Sequence, residues 1–367
     1  EIRKLKKNDP DNKIILTGCA AQIHKDEFVA MNEIDSIIGN KEKLESKTYK
    51  EIKESNDRIN KVGDIFEHGQ AISPIIKKVE NRIRGFVQIQ NGCDHRCTFC
   101  IIPYGRGDSR SVEPENVVNQ INTLLDQGYK EIVLTGVDLT SYGHDLENKP
   151  NLATLVSHIL FSIPNLKRLR LSSLDVAEID KNLMDLIKYE KRILPHIHLS
   201  LQAGDNMILK RMKRRHLRDD AISVINEIRS VRSEVVFGAD IIAGFPTEND
   251  EMFQNTVDLI EDCNITFLHI FPFSPREGTP AARMPQVDRY IIKKRAKILR
   301  EIGKKKLLEY YDGLKNKKIN VIVEDKGRGR SDTFAKVQID NNLDNGQIVK
   351  MIVTGRNQVG LTGNIVV

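Results

Sequence analysis

From residue 84 onward the apolar and polar positions switch period in a regular alternation. Stretches of period two at 86–90, 131–135, 168–172, 196–202, 235–242 and 266–271 read as six strands. Stretches of helical period lie between them, at 114–127, 152–161, 181–189, 218–231 and 251–262, and a long basic helix follows at 289–311. Strands separated by helices predict parallel βαβ units. Several strands also split by face. His196, His198, Ser200 and Gln202 alternate with Ile197, Leu199 and Leu201; Arg168 and Arg170 alternate with Leu169 and Leu171; Gln88 and Gln90 oppose Val87 and Ile89. Strands buried on both faces read as continuous apolar runs, and a closed eight-stranded barrel fills its interior with branched apolar residues. One polar face therefore predicts an incomplete six-stranded barrel, apolar outward against helices and polar inward around a cavity. A solvent-facing antiparallel sheet is the competing arrangement, and the intervening helices argue against it.

The flanks differ. Residues 14–18 read as a short buried strand, 24–32 as a helix and 35–38 as a strand, the tail of a small α/β unit; 41–80 is rich in Lys, Glu and Asn and reads as a helix followed by a linker. The last fifty-odd residues show short strands at 318–323, 335–339, 348–354 and 361–366. Turn-rich spacers such as Lys326-Gly327-Arg328-Gly329-Arg330 and Asp344-Asn345-Gly346 separate them, which predicts a small all-β barrel.

Composition narrows the classes. The 367 residues suffice for two or three domains, and 40% hydrophobic content supplies a core. No apolar run of about 18 residues predicts a membrane span, and Glu1 to Lys7 opens no secretory signal. A net charge of +6 favours an anionic partner such as RNA. Five cysteines, three of them clustered, suit a reducing cytosol and a metal site better than a disulfide frame. The first residue is not Met and falls just ahead of a strand, so the expectation is a start partway through a domain.

The clustered cysteines are Cys93, Cys97 and Cys100, spaced C-x3-C-x2-C with Phe99 before the last. Three thiolates within eight residues can wrap one inorganic centre. Ordinary iron–sulfur sites take four cysteines, so a trio leaves one iron open to a small molecule. A structural zinc site needs a fourth ligand and usually shows paired cysteines; His95 inside the loop is the candidate, though Cys93 and Cys97 would have to splay around it. The loop directly follows the first predicted barrel strand, and in parallel barrels active sites gather at the C-terminal ends of strands.

This spacing resembles the signature of the radical S-adenosylmethionine (SAM) enzymes, and further runs resemble the methylthiotransferase family among them: Gln90 to Gly107, Leu134-Thr135-Gly136-Val137-Asp138, His198-Leu199-Ser200-Leu201-Gln202, Asp240 to Glu248, and Phe273 to Ala281. The resemblance covers essentially the whole chain. It implies a partial N-terminal cluster domain over 1–75, an incomplete (βα)6 radical SAM core over 79–308 and a TRAM RNA-binding barrel over 312–367. Within the family, Cys93 to Cys100 and Val137 to Gly143 are most similar to the branch that methylthiolates carbon 2 of threonylcarbamoyladenosine at position 37 of tRNA; branches acting on isopentenyladenosine or on a ribosomal protein are the alternatives.

The resemblance further implies a 4Fe-4S cluster on Cys93, Cys97 and Cys100 with SAM on its open iron. It also implies a second 4Fe-4S cluster that carries the sulfur, a tRNA partner, an electron donor such as a flavodoxin or ferredoxin, no membrane, and a cytoplasmic setting. Cys19 matches the third ligand of the second cluster. The first two have no counterpart, so that cluster is expected to be incomplete, and a remnant that binds RNA and SAM without inserting sulfur is the competing expectation.

Other residues carry weaker readings. Gly136, Val137 and Asp138 follow the second strand where the family binds the SAM amino group, or form an ordinary glycine turn with a capping aspartate. Phe99, Ser173 and Gln202 are expected at SAM, Ser173 and Gln202 equally as structural hydrogen bonders. Arg211, Lys213, Arg214 and Arg215, in a run with six Lys/Arg in nine residues, are expected to contact RNA phosphates; Arg106 and Arg110 flank the cysteine loop and are expected to face substrate. In the C-terminal barrel, Lys317, Lys318, Lys326, Arg328 and Arg330, with Phe334 the only aromatic in its first half, suit sequence-tolerant backbone binding better than base stacking. Cys263 reads as a packed core thiol.

Overall fold

A computed structural model describes residues 1–55, 57–67, 82–325, 327–339 and 343–366. Its centre is two parallel three-stranded sheets, one of Arg84–Gln88, Glu131–Thr135 and Leu169–Leu171, the other of His196–Gln202, Val236–Ala243 and Phe267–Pro272. Parallel bridges Leu169–Ile193 and Leu174–Leu199 join them into one six-stranded wall. Among the described residues no pairing joins the first strand to the sixth, so the barrel stays open on one side.

The face pattern is realised. Ile197, Leu199 and Leu201 lie in one continuous apolar core with the helices Pro114–Asp126, Leu152–Ser162, Lys181–Tyr189, Arg218–Val231 and Asp250–Asp262. Each fully buried aliphatic side chain there contributes about 1.5–3 kcal/mol. Short polar side chains start several helices: Asn151, Asp180 and Asn249 accept the N–H of Thr154, Leu183 and Met252, and Asp205 does the same for Ile208 at the start of Asn206–Met212. Each such cap is worth about 1 kcal/mol. Cys263 is buried in this core, as its surroundings suggested.

The N-terminal part is a parallel sheet of Ile15–Thr17, Ser36–Ile38 and Ile59–Lys61. Its third strand was not foreseen, and Glu1 to Asn8 differs too: Ile2–Asn8 is a helix. Residues 68–80 of the expected linker lie outside the described residues.

The C-terminal residues form a closed barrel of Lys318–Asp325, Arg328–Ser331, Lys336–Gln338, Leu361–Val366 and Ile348–Arg356. Arg328–Ser331 is a strand where a turn-rich spacer was expected, because barrel closure needs a partner for Val321 to Asp325. Lys326 lies outside the described residues.

This small barrel caps the N-terminal end of the core barrel. Arg84 pairs with Glu324 at 2.9 Å, Arg168 with Asp332, and Arg170 donates to the Ser331 carbonyl at 3.1 Å. Phe334 stacks on His196, ring centres 4.9 Å apart, beneath the guanidinium of Arg330 at 4.2 Å. Arg330 thus packs toward the core barrel, which corrects its place among the basic residues expected at an RNA backbone, and Phe334 packs there with it. Phe334 and His196 thereby floor the N-terminal end of the barrel interior, opposite the C-terminal strand ends.

Candidate metal centre and substrate cavity

The cysteine loop leaves the first core strand through Gly92, whose φ is +79°. A Cβ there would stand 1.9 Å from the Asp108 carbonyl oxygen, so the close return of 107–109 requires glycine. Three elements then pin the loop. Cys93 N–H donates to Gly107 O at 3.1 Å and Ser109 N–H to Asp94 Oδ1 at 2.8 Å. Thr98 N–H donates to Met212 O at 3.1 Å and its hydroxyl to Arg211 O at 2.7 Å; Thr98 O accepts from Ala281 N at 2.9 Å. The segments after the fourth and sixth strands therefore hold the loop after the first.

Cys93, Cys97 and Cys100 are all half-buried. Among the described residues, His198, Asp240 and His269 form one trio with donor atoms all within 4.8 Å, and His95, Asp138 and Glu178 form another; the three thiols form no such trio. Three thiolates within one short loop suit iron–sulfur ligation. Burial, then the charge of Asp138, pushes the Cys93 thiol far above its ordinary value, and burial raises Cys100. Both thiols are thus harder to ionise than a free cysteine, a cost that binding to a cation would offset.

His95 is not a fourth ligand on the thiols. Its Nε2 lies 2.9 Å from Asp138 Oδ2, 3.6 Å from Glu178 Oε1 and 2.6 Å from Arg215. The hydrogen bond to Asp138 comes first in raising it to about 10. Burial raises Glu178, but His95, Thr140 and the charge of Arg215 outweigh it and hold the carboxylate at about 2. The result is a fixed, charged rim beside Cys93, whose Sγ is 3.5 Å from Asp138.

Asp138 also accepts from Ser141 Oγ at 2.8 Å, so it is built into this network and caps no helix end by its side chain. The turn before it depends on Gln90, which sequence reasoning did not single out. Gln90 Oε1 accepts the N–H of Val137 and Asp138 at 3.0 and 2.8 Å, and its Nε2 donates to Gly92 O at 2.8 Å and Ser109 Oγ at 2.9 Å. One buried amide thereby ties the cysteine loop to the Gly136 turn. The motif order placed both segments at strand ends; only their folding together shows the tie.

The remaining predicted residues divide. Phe99 packs edge-on against Phe245, ring centres 6.3 Å apart. Ser173 is half-buried past the third strand, and Gln202 ends the fourth with φ +68°, a backbone state a non-glycine residue adopts under constraint. The basic run divides between inward and exposed side chains. Arg214 is buried, 3.0 Å from Asp175, donating to Ser200 O at 2.7 Å and 4.0 Å from Cys97 Sγ. Arg211 donates to Thr247 Oγ1 at 2.8 Å. Lys213 and Arg215 are the exposed members of the predicted four. Arg110 folds back, donating to Arg106 O. Cys19 starts the helix Cys19–Ile23 and touches the helix Ile102–Arg106 that follows the cysteine loop: a Cβ on Gly105 would stand 3.0 Å from Cys19 Cβ. Asn40 Nδ2 bridges Gly105 O at 2.5 Å and Cys19 Sγ at 3.7 Å.

Comparison with known proteins agrees with this architecture. The radical SAM superfamily model matches residues 87–260. In fold the chain is similar to the radical SAM methyltransferase TsrM from Kitasatospora setae, with a TM-score of 0.56 and 16% identity over 76% of this chain and 61% of that one. In sequence it is 49% identical to the threonylcarbamoyladenosine tRNA methylthiotransferase MtaB of Rickettsia prowazekii, over 96% of this chain and 83% of that protein. It is 36% identical to the protein of the same name from Aquifex aeolicus, over 96% and 86%. It is 33% identical to the tRNA-2-methylthio-N(6)-dimethylallyladenosine synthase of Neorickettsia sennetsu, over 96% and 77%. Three thiols set for a cluster at the mouth of an open parallel barrel, and relatives of this kind along nearly the whole chain, have one reading: the chain belongs to the radical SAM tRNA methylthiotransferases, enzymes that use a 4Fe-4S cluster and SAM.

Proposed function

We propose that this enzyme places a methylthio group on carbon 2 of threonylcarbamoyladenosine at position 37 of tRNA. The 49% identity to a protein named for threonylcarbamoyladenosine, against 33% to one named for dimethylallyladenosine, carries the choice of branch. In this reading residues 1–75, 79–308 and 312–367 act as cluster domain, radical SAM core and RNA-binding barrel. Cys93, Cys97 and Cys100 hold the 4Fe-4S cluster, and Phe99, Gly136, Val137, Asp138, Ser173 and Gln202 surround SAM. When bound, cluster and SAM supply one-electron cleavage of the sulfonium and the radical that removes hydrogen from the base.

The protein's own residues orient and exclude. Gln90 fixes the turn beside SAM, the His95–Asp138–Glu178 rim keeps the mouth charged, and the Phe334 floor closes the N-terminal end of the barrel to water. Lys213 and Arg215 meet tRNA phosphates, and Cys19, held against Gly105, ligates the sulfur-carrying cluster. A flavodoxin or ferredoxin supplies electrons, and the setting is the cytoplasm. Among the described residues no helix is long and apolar enough to cross a membrane.

The test is anaerobic reconstitution with iron, sulfide, SAM, a low-potential reductant and tRNA bearing threonylcarbamoyladenosine, followed by nucleoside mass spectrometry. Gain of a methylthio group on that nucleoside supports the reading. Formation of 5′-deoxyadenosine with no thiolated base overturns it in favour of a remnant that cleaves SAM without inserting sulfur. Product on isopentenyladenosine or on ribosomes alone moves the enzyme to another branch.

A further inference from the structure

The inward face of the sixth core strand carries chemistry that the cysteine loop does not use. Leu268 and Ile270 pack on the helical core, so Phe267, His269 and Phe271 alternate onto the cavity side. Phe267 joins the floor, 5.1 Å from the His196 ring. His269 comes next, its side chain 62% exposed, and Phe271, nearest the mouth, is 51% exposed. A large aromatic left half open in a cavity is a stacking surface for a nucleobase.

His269 is held in place. Its Nδ1 lies 3.2 Å from Asp240 Oδ1, and His198 Nε2 lies 3.1 Å from the same oxygen, with the two rings 4.7 Å apart. Strand register sets this up: Asp240 stands opposite His269, and Gly238 opposite His198. A Cβ on Gly238 would lie 2.5 Å from His198 Nδ1, so glycine makes room for that ring. Burial opposes ionisation of Asp240, but the His198 ring beside its Oδ1 and the hydrogen bond from His269 hold it well below the usual carboxylate range. The bond to Asp240 in turn raises His269 above its ordinary value. Among the described residues His269 Nε2 has no hydrogen-bond partner; with Nδ1 held at Asp240, the protonated ring would present Nε2–H to a ligand.

We propose that His269, braced by Asp240 and His198 beside the open face of Phe271, is the subsite that takes the anionic amino-acid arm of the substrate base. The inference rests on the threonylcarbamoyladenosine reading. In adenine, C2 and the carbon bearing N6 flank N1, and their exocyclic bonds diverge. A base stacked on Phe271 with C2–H toward the cysteine loop can therefore direct its N6 arm away from the loop, down the strand to His269. The arm ends in a carboxylate, and a charge-assisted hydrogen bond inside a half-closed cavity separates it from a neutral arm.

The test compares anticodon stem-loop RNAs carrying threonylcarbamoyladenosine, its methyl ester, or plain adenosine, by equilibrium binding to the reconstituted protein. The readout is the ratio of affinities within each variant, which cancels any general loss of folded protein. Wild type is expected to prefer the carboxylate over the ester by about tenfold or more. His269→Ala is expected to bring that ratio near one, and His269→Lys, which keeps a cation, to retain most of it. Phe271→Ala is expected to weaken all three RNAs alike. An alanine variant that keeps the preference overturns the subsite while leaving the substrate reading intact, and so does a lysine variant as indifferent as the alanine. If wild type separates carboxylate from ester no better than the alanine variant, the subsite fails alone; if it binds threonylcarbamoyladenosine no better than plain adenosine, the substrate reading fails and the subsite with it.

Discussion

At the scale of single residues, the site is governed by buried polar groups with full sets of partners. Gln90 is the clearest. It is fully buried, and its amide is bonded on both sides. Gln90→Ala would orphan the N–H groups of Val137 and Asp138 and the Gly92 carbonyl, at a cost of roughly 2–4 kcal/mol. The expected outcome is a lower urea midpoint together with weaker SAM binding in the reconstituted protein, measured by denaturation and calorimetry. The Asp240 pairing predicts a pH dependence whose sign follows from its direction. A carboxylate held below its ordinary 3.8 contributes stability above that value, and the contribution is lost as pH falls through the depressed native value. His269, raised above 6.5, contributes below that value and loses its contribution as pH rises through the native one. Asp240→Asn should therefore be less stable than wild type at mildly acidic pH. The gap should close as pH falls below the carboxylate range and narrow on the alkaline side; urea melts across pH measure both limbs.

At the scale of elements, the regular periods were legible and the short pairings were not. His196–Gln202 and Arg218–Val231 stand where the pattern put them, because period two and helical period each run over several residues with a buried face. Ile59–Lys61 was not legible: three residues carry no period, and the strand exists only because Ser36–Ile38 offers an edge. Arg328–Ser331 reads as a turn for the same reason. Its Gly329, where a Cβ would meet Val321 Cγ1 at 2.7 Å, is required by the closeness of barrel strands rather than by a bend. The metal loop was legible from spacing alone; its supports, Gln90 and Glu178, were not, because contacts distant in sequence leave no local signal. The same packing logic bears on the docking of Cys19–Ile23 against Ile102–Arg106. Gly105 lets these short helices meet, with Cys19 Sγ 3.3 Å from where a Cβ would sit. Gly105→Leu should cost about 1–3 kcal/mol by overpacking. Hydrogen exchange should then quicken at 19–23 and stay slow in the fourth core strand; equal quickening in both would show that the N-terminal sheet and core do not uncouple there.

At the scale of the whole molecule, the C-terminal barrel closes the far end of the cavity, and this docking is built from charge and aromatic contact. Fully buried Glu131 takes Arg168 at 2.9 Å and Arg170 at 2.6 Å, and both arginines reach on to the C-terminal barrel, at Asp332 and Ser331. Burial, then the charge of Arg170, keeps His196 neutral, so it stacks on Phe334 as a flat apolar ring with no cation of its own. Phe334 holds φ +70°, which persists because its ring is fixed by Arg84, Arg170, Arg330 and His196 together. Removing the ring takes away the stack and all three cation–π contacts but leaves the ion pairs. Phe334→Ala should therefore cost about 2–4 kcal/mol without unfolding either barrel. The two barrels should then part more readily: limited proteolysis should cut sooner between the helix Arg289–Asp312 and Lys318, while both fragments resist further digestion. SAM cleavage without tRNA should rise or become less coupled to product, because the floor that closes the N-terminal end of the barrel to water is gone. Unchanged proteolysis alongside unchanged coupling would mean that the ion pairs alone hold the barrels together and that the aromatic floor serves only local packing.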